Sequence, residues 1–266
     1  MTCLLHSWKV YQYVADDPAA TYTTPKNQGR EAMAYLTFII DHYYKLPGFM
    51  VFMHGDYRAW HQIEPTPYIL SALNLSVVQE RGYANLRCGK KLYCEHQHHT
   101  DHIPPTFDFQ SLYIRGLHRY AFRPEDPWYD ATLPEVEGQR IPPSFASPCC
   151  AQFAVTRTAV LSKPLEFWVR LRELLLMPDL SVFTQDWFGH PPDNTLPWHF
   201  AAVDSWHLGV VFEVMWHYMF GRPAVDCPDT DVCHQVMYGG RIHCDDWADV
   251  STPYAIGWQN LTCSLD

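Results

Sequence analysis

The clearest periodic signal lies in "PKNQGREAMAYLTFIIDHYYKLPG". Met33, Leu36, Ile40 and Tyr43 recur at helical spacing, opposite Arg30, Thr37, Asp41 and Lys45, and Pro47 with Gly48 stops the pattern. Just upstream, "WKVYQYVADDP" alternates and ends in a turn, which predicts a strand over Lys9 to Val14. Downstream, Phe49 to Met53 runs apolar without alternation, as expected of a strand covered on both faces in a parallel sheet. Strand, helix and strand in this order predict an α/β fold: one domain over 1–266 with a central, mostly parallel sheet flanked by helices.

The rest of the pattern fills in that picture. A helix is predicted from Pro67 to Glu80, a covered strand from Gln152 to Thr156, and a helix opened by Ser162 and Pro164 and reaching Met177. "DSWHLGVVFEVMWHYMFGR" is apolar nearly all round and reads as a buried helix. Between these lie a His- and Pro-rich irregular insertion over about 94–148 and a turn-rich, cysteine-containing tail over about 221–266. No internal repeat is present.

Candidate chemistry concentrates where the apolar strand stops. His54 ends it, and Asp56, Tyr57, Arg58, Trp60 and His61 follow. Ligands of open α/β sheets bind beyond the carboxyl ends of strands, so this loop is expected to line a cleft. The alternative is a capped loop with Trp60 packed on the core. Glu213 and His217 are four apart on one face of the buried helix, either as a structural anchor or as an acid–base pair in a cleft. His96, His98, His99 and His102 invite a metal reading. They occupy a polar loop without a matched second cluster, which favours an adventitious surface tract.

Composition narrows the classes. The formal net charge of −10, with scattered basic residues, excludes a phosphate-tracking nucleic-acid surface. No apolar run has the length of a membrane span, and the N-terminal residues do not read as a leader, so a soluble, cytoplasmic protein is expected. The nine cysteines keep a secretory ancestry in play, since Cys88 and Cys94, and likewise Cys227 and Cys233, are close enough to form short-range disulfides; Cys149 and Cys150 are adjacent. Dinucleotide, Walker, nucleophile-elbow and zinc-protease motifs are absent, so no cofactor is called for. The one D-x-D, Asp229 to Asp231, lies late in the chain between two cysteines rather than after a central strand.

Several long segments together carry a resemblance. "WKVYQYVADDP", "PKNQGREAMAYLTFIIDHYYKLP", "VFMHGDYRAWHQ", "GYANLRC", "CCAQFAVTR" and "FEVMWHYMFG" resemble a widespread fungal family of uncharacterised proteins, from Trp8 to about Cys244. The resemblance implies no particular reaction. Its element order is loosely similar to glycosyltransferase-type α/β domains, a likeness of fold alone. Many members of the family follow a membrane anchor. Against the family pattern, Asp56 and Tyr57 stand where a second His or Arg is usual, Gln62 replaces an Asn, Val210 replaces an Arg, and Cys233-His234-Gln235 alters a cysteine-rich ending. These departures imply a cleft re-lined for a more apolar ligand.

The leading expectation is therefore a cofactor-independent enzyme of natural-product biosynthesis, acting on an apolar terpenoid or polyketide by cyclisation or isomerisation of the Diels–Alder type. It would orient the reacting carbons and place donors where charge develops. His54, Tyr57, His61 and His217 are the candidate donors, with Asp56 and Glu213 setting tautomers or acting as base. Trp60, Trp216, Arg58 and Phe212 are the candidate substrate contacts. The alternatives are a glycosyltransferase-like enzyme, which calls for a metal-binding D-x-D after a strand, and a non-catalytic binding protein, in which His54, His61 and Glu213 are inert packing residues.

Overall fold

The computed structural model describes residues 8–56, 58–59, 62, 64–89, 93–100, 109–136, 138–177, 205–240, 242–244 and 263–265. Helix α1 spans Glu31–His42, α2 Thr66–Ala72, α3 Leu75–Arg81, α4 Phe109–Ala121, α5 Arg157–Leu161, α6 Leu165–Leu176, α7 Ser205–Met219 and α8 Thr230–Tyr238. A three-stranded sheet lies among them, made of β3 (Phe49–Phe52), β4 (Tyr83–Asn85) and β9 (Phe153–Thr156). The other strands form two-stranded pairs: β1 (Tyr13–Val14) with β2 (Tyr22–Thr23), β5 (His98–His99) with β8 (Ser144–Phe145), β6 (Glu135–Val136) with β7 (Gln139–Arg140), and β10 (Ile242–Cys244) with β11 (Cys263–Leu265).

The sheet overturns the expected parallel architecture. Its order is β3-β9-β4, and β9 runs antiparallel to both neighbours, with Phe52 opposite Phe153 and Asn85 also opposite Phe153. Among the described residues, parallel pairing is confined to the short β1–β2 pair and the isolated Ala146–Val225 bridge. The apolar run of β3 does reflect cover on both faces. Met50 and Phe52 join the main core with α1, α6 and α7, while Phe49 and Val51 pack against a second cluster that includes Ile69, Val78 and Met237. Two-sided cover is usual in parallel sheets, but helices from distant parts of the chain cover this antiparallel sheet equally well. β3 is also an edge strand rather than a central one.

Helical periodicity translated well into structure. Helix α1 forms where expected and packs on α6, burying Met33 and Leu36, but Ile40 and Tyr43 are only half-buried while Ile39 and Thr37, the latter expected on the polar face, are buried; α7 is buried nearly all round, as its apolar sequence requires. The predicted helix over Pro67 to Glu80 is two helices, because Leu73 turns extended and Asn74 caps α3 by accepting from the Ser76 N–H at 3.1 Å. The insertion is less irregular than expected: it contains α4, which packs on α7. The tail likewise contains α8. Among the described residues no helix is long and apolar enough to cross a membrane.

The turn before α1 explains the "NQGREA" segment. Gly29 has φ +71°, and a Cβ there would lie 2.7 Å from Leu175 Cδ2 in the packed core. Its N–H donates to Ser205 Oγ at 2.9 Å, tying the turn to the start of α7. Arg30 follows at φ 52°, a conformation that costs a non-glycine residue on the order of 1–3 kcal/mol. Gly29→Ala is expected to lower the unfolding free energy by about 1–3 kcal/mol, from the strained φ and the contact with Leu175. A urea melt checks this; an unchanged midpoint would mean that the turn relaxes freely.

Three disulfides join cysteines among the described residues. Cys88 bonds Cys233 and Cys94 bonds Cys227, so the close-spaced cysteines cross over rather than pairing with their sequence neighbours. The third bond links Cys149 with Cys150, ahead of β9.

Candidate active site

The antiparallel register brings several chemically distinct segments to one end of the sheet. The carboxyl ends of β3 and β4 lie beside the amino end of β9. His54 leaves β3 there, Arg87 leaves β4, and Cys149 and Cys150 lead into β9. His54 Nε2 lies 3.3 Å from the Cys150 carbonyl. The Arg87 segment is held by Asn85, whose Oδ1 accepts from the Arg87 N–H at 2.8 Å while its Nδ2 donates to the Pro148 carbonyl at 2.6 Å.

Two helices add carboxyl groups. Glu31 opens α1 and Glu213 lies within α7; both are partly exposed. Tyr93 donates its hydroxyl to Glu213 Oε2 at 2.8 Å. Desolvation is the main force on both acids. It pushes Glu31 up to about 8, with the Glu213 charge adding to the effect, and raises Glu213 against the opposing pull of Tyr93, Arg30 and Arg87. Raised to about 8, the Glu31 carboxyl keeps its proton around neutral pH. Arg30 also acts on His54 and Tyr93, which places its charge in the same region. Its stem runs across Gly209 of α7, where an added Cβ would come within 2.9 Å of Arg30 Cδ. Burial lowers the His54 pKa, and the Cys150 carbonyl and Asp56 oppose that shift.

A narrow pocket, partly open to solvent, adjoins this end of the sheet. Arg87, Glu64, Gln62 and Gln152 supply its polar lining, Ile69 and Leu86 its apolar lining, and Cys149 and Cys150 one wall. Burial pushes Glu64 up to about 7. Gln62 organises the approach: its Oε1 accepts from the Ala59 N–H at 2.5 Å, and its Nε2 reaches Thr66 Oγ1 at 3.3 Å.

The residues singled out from sequence separate into groups. His54 lies at the end of the sheet against the Cys150 carbonyl and Glu213 accepts from Tyr93, but neither lines the pocket beside Arg87. Asp56 is exposed, and Arg58 donates from Nε to the Gln62 carbonyl at 3.3 Å. Phe212 and Trp216 are fully buried, their rings 5.4 Å apart within the main core. Tyr57, Trp60 and His61 lie outside the described residues, as does His102. His98 and His99 are strand residues of β5, and among the described residues no group of three His, Cys, Asp or Glu is arranged to hold a metal. The D-x-D sequence serves a helix: Asp229 Oδ1 accepts from the N–H groups of Asp231 and Val232 at 3.1 and 3.2 Å and caps α8.

His217 is not brought to Glu213. It is fully buried and its Nε2 donates to the Ala224 carbonyl at 2.9 Å, pinning the segment after α7. Burial lowers its pKa to about 4, against the Ala224 carbonyl and Asp226. A histidine whose folded pKa is depressed destabilises the fold as it is forced to accept a proton. Its contribution is intact above the unfolded value of about 6.5 and is lost as pH falls from there towards 4, roughly 3 kcal/mol in all. Unfolding free energies measured between pH 7 and 4 should therefore fall less steeply in His217→Phe than in the parent. Parallel pH profiles would remove this linkage.

Sequence reasoning passed over Arg30, Glu31, Glu64, Arg87 and Tyr93. Arg30 and Glu31 stood in the quoted "NQGREA" segment, and Arg87 in "GYANLRC", but each is a single charged residue whose partners come from remote segments.

The fold and cleft define a mixed helical and antiparallel-sheet domain with a polar, carboxyl-bearing site at the end of its three-stranded sheet. The chain belongs to the family described as protein of unknown function (DUF3431), whose model matches residues 2–236. No curated protein and no solved structure matches it.

Proposed function

We propose that the protein is an enzyme that rearranges an apolar small molecule, a terpenoid or polyketide, by cyclisation or isomerisation without a cofactor. The observation that carries this reading is Glu213 of α7, which accepts from the Tyr93 hydroxyl and whose charge acts on Glu31 of a different helix. A carboxyl kept protonated near neutral pH can donate to a carbonyl oxygen as charge develops on it. Its ionised neighbour can then take a proton from carbon. Ile69 and Leu86 offer apolar surface to the rest of the molecule.

The long-range disulfides support a location in an oxidising compartment rather than the cytoplasm expected from the N-terminal residues. The test of function is incubation with a panel of carbonyl-bearing terpenoid and polyketide precursors, followed by chromatography with mass detection. A product of unchanged mass and new retention is expected, since cyclisation and isomerisation conserve composition. A product gaining a sugar mass would point instead to a transferase, and binding without conversion to a non-catalytic protein.

A further inference from the structure

Arg87 is an unusual arginine for a pocket wall. Its Nη1 donates to Cys149 Sγ at 2.6 Å and lies 3.4 Å from Cys150 Sγ. Its Nε–H is buried without a hydrogen-bond partner. Among the described residues no carboxylate forms an ion pair with it, although Glu64 and Glu213 act on its charge from a distance. A buried guanidinium donor left unmet is costly, and the fork formed by Nε–H and Nη2–H matches the two oxygens of a carboxylate. With Nη1 occupied by sulfur, this side-on edge is the one suited to a ligand.

We propose that the pocket beside Arg87 receives a carboxylate group of the ligand, side-on against Nε–H and Nη2–H, with the adjoining carbon chain against Ile69 and Leu86. This deepens the reading of the cleft as a small-molecule site and rests on it: the substrate is an apolar acid, anchored at Arg87 and processed at Glu213 and Glu31. Glu64 favours a planar monoanion over a phosphate. It is 7% exposed and lines the same pocket, where its protonated form donates to a carboxylate oxygen and its ionised form opposes a dianion more strongly. Asn85 holds the Arg87 backbone by accepting from its N–H, and the Nη1 bond to Cys149 Sγ holds the guanidinium, so the fork is positioned before a ligand arrives.

Isothermal calorimetry on the full chain at pH 6 with hexanoate, methyl hexanoate and hexyl phosphate tests this. Hexanoate is expected to bind, with the ester and the phosphate each weaker by about tenfold or more. Arg87→Lys keeps the charge and removes the fork, and should weaken hexanoate by about tenfold; Arg87→Met should do the same or more. Melting curves establish that the lysine variant is folded. No hexanoate binding, equal binding of the ester, equal or tighter binding of the phosphate, or unchanged affinity in folded Arg87→Lys would each overturn the assignment. The two readings fail separately. Hexanoate binding without isomeric turnover on any precursor would leave the anchor and remove the enzyme. Turnover without hexanoate binding would do the reverse.

Discussion

Glu213→Gln is expected to reduce turnover by about 100-fold or more while leaving the melting temperature close to that of the parent. The glutamine keeps the size of the side chain and still accepts from Tyr93, whose hydroxyl donates to Oε2 at 2.8 Å, so the packing of α7 is preserved. What it removes is the capacity to hold and release a proton. The substitution also takes away the charge that helps to raise Glu31. Any residual activity should therefore show its pH dependence displaced towards acid, as Glu31 titrates nearer to the usual carboxyl range. Full turnover with a stability loss of about 1–3 kcal/mol would identify Glu213 as a buried structural anchor and withdraw the catalytic proposal.

The second large effect is on stability. Replacing Cys94 and Cys227 together by serine removes a cross-link between positions 133 residues apart. With Cys88–Cys233 intact, the loop that this bond closes runs only through 88–94 and 227–233, and in the chain-entropy description a loop of about 15 residues is worth about 3 kcal/mol, a large part of the roughly 5–15 kcal/mol that holds a domain together. The same bond fixes the neighbour of Tyr93, so turnover should fall at temperatures where the variant remains folded. Denaturant unfolding of both forms provides the comparison. A difference below about 1 kcal/mol would mean that the ends of this loop are already held by packing.

Legibility varied with the range of the contacts involved. Helices α1, α6 and α7 were readable because periodicity is a local property of ten or so residues, and the positions of β3 and β9 were readable for the same reason. Strand direction was not. β3 takes as its neighbour a strand about a hundred residues further on, and nothing within "GFMVFM" specifies which way that partner runs. The insertion hid α4 although Tyr113, Ile114, Leu117 and Ala121 form a buried stripe at helical spacing, because the His- and Pro-rich sequence around it drew the whole segment into one irregular reading. The site was half legible. His54 could be placed because a strand ended at it, and Glu213 because a charge stood in an apolar helix. Arg87 and Glu31 acquire meaning only once β9 brings the ends of β3 and β4 together. The cysteines failed in the same way: proximity in sequence suggested local bonds, whereas α8 returns to the β4 loop and exchanges the partners.

The position of β9 between two earlier strands also orders events during synthesis. Neither β3 nor β4 can make its sheet hydrogen bonds until residues near 153–156 have emerged, since the two strands do not pair with each other. Cys88 and Cys94 must wait longer, for partners 145 and 133 residues downstream. At translation rates of about 5–20 residues per second, that interval is on the order of 10–30 s. Throughout it these thiols stand near each other with their eventual partners still unmade, so the nascent chain is open to the local Cys88–Cys94 bond that the finished fold does not use. Correct maturation then depends on thiol–disulfide exchange after the C-terminal helix arrives, and the yield of active protein should respond to the isomerase capacity of the host that makes it.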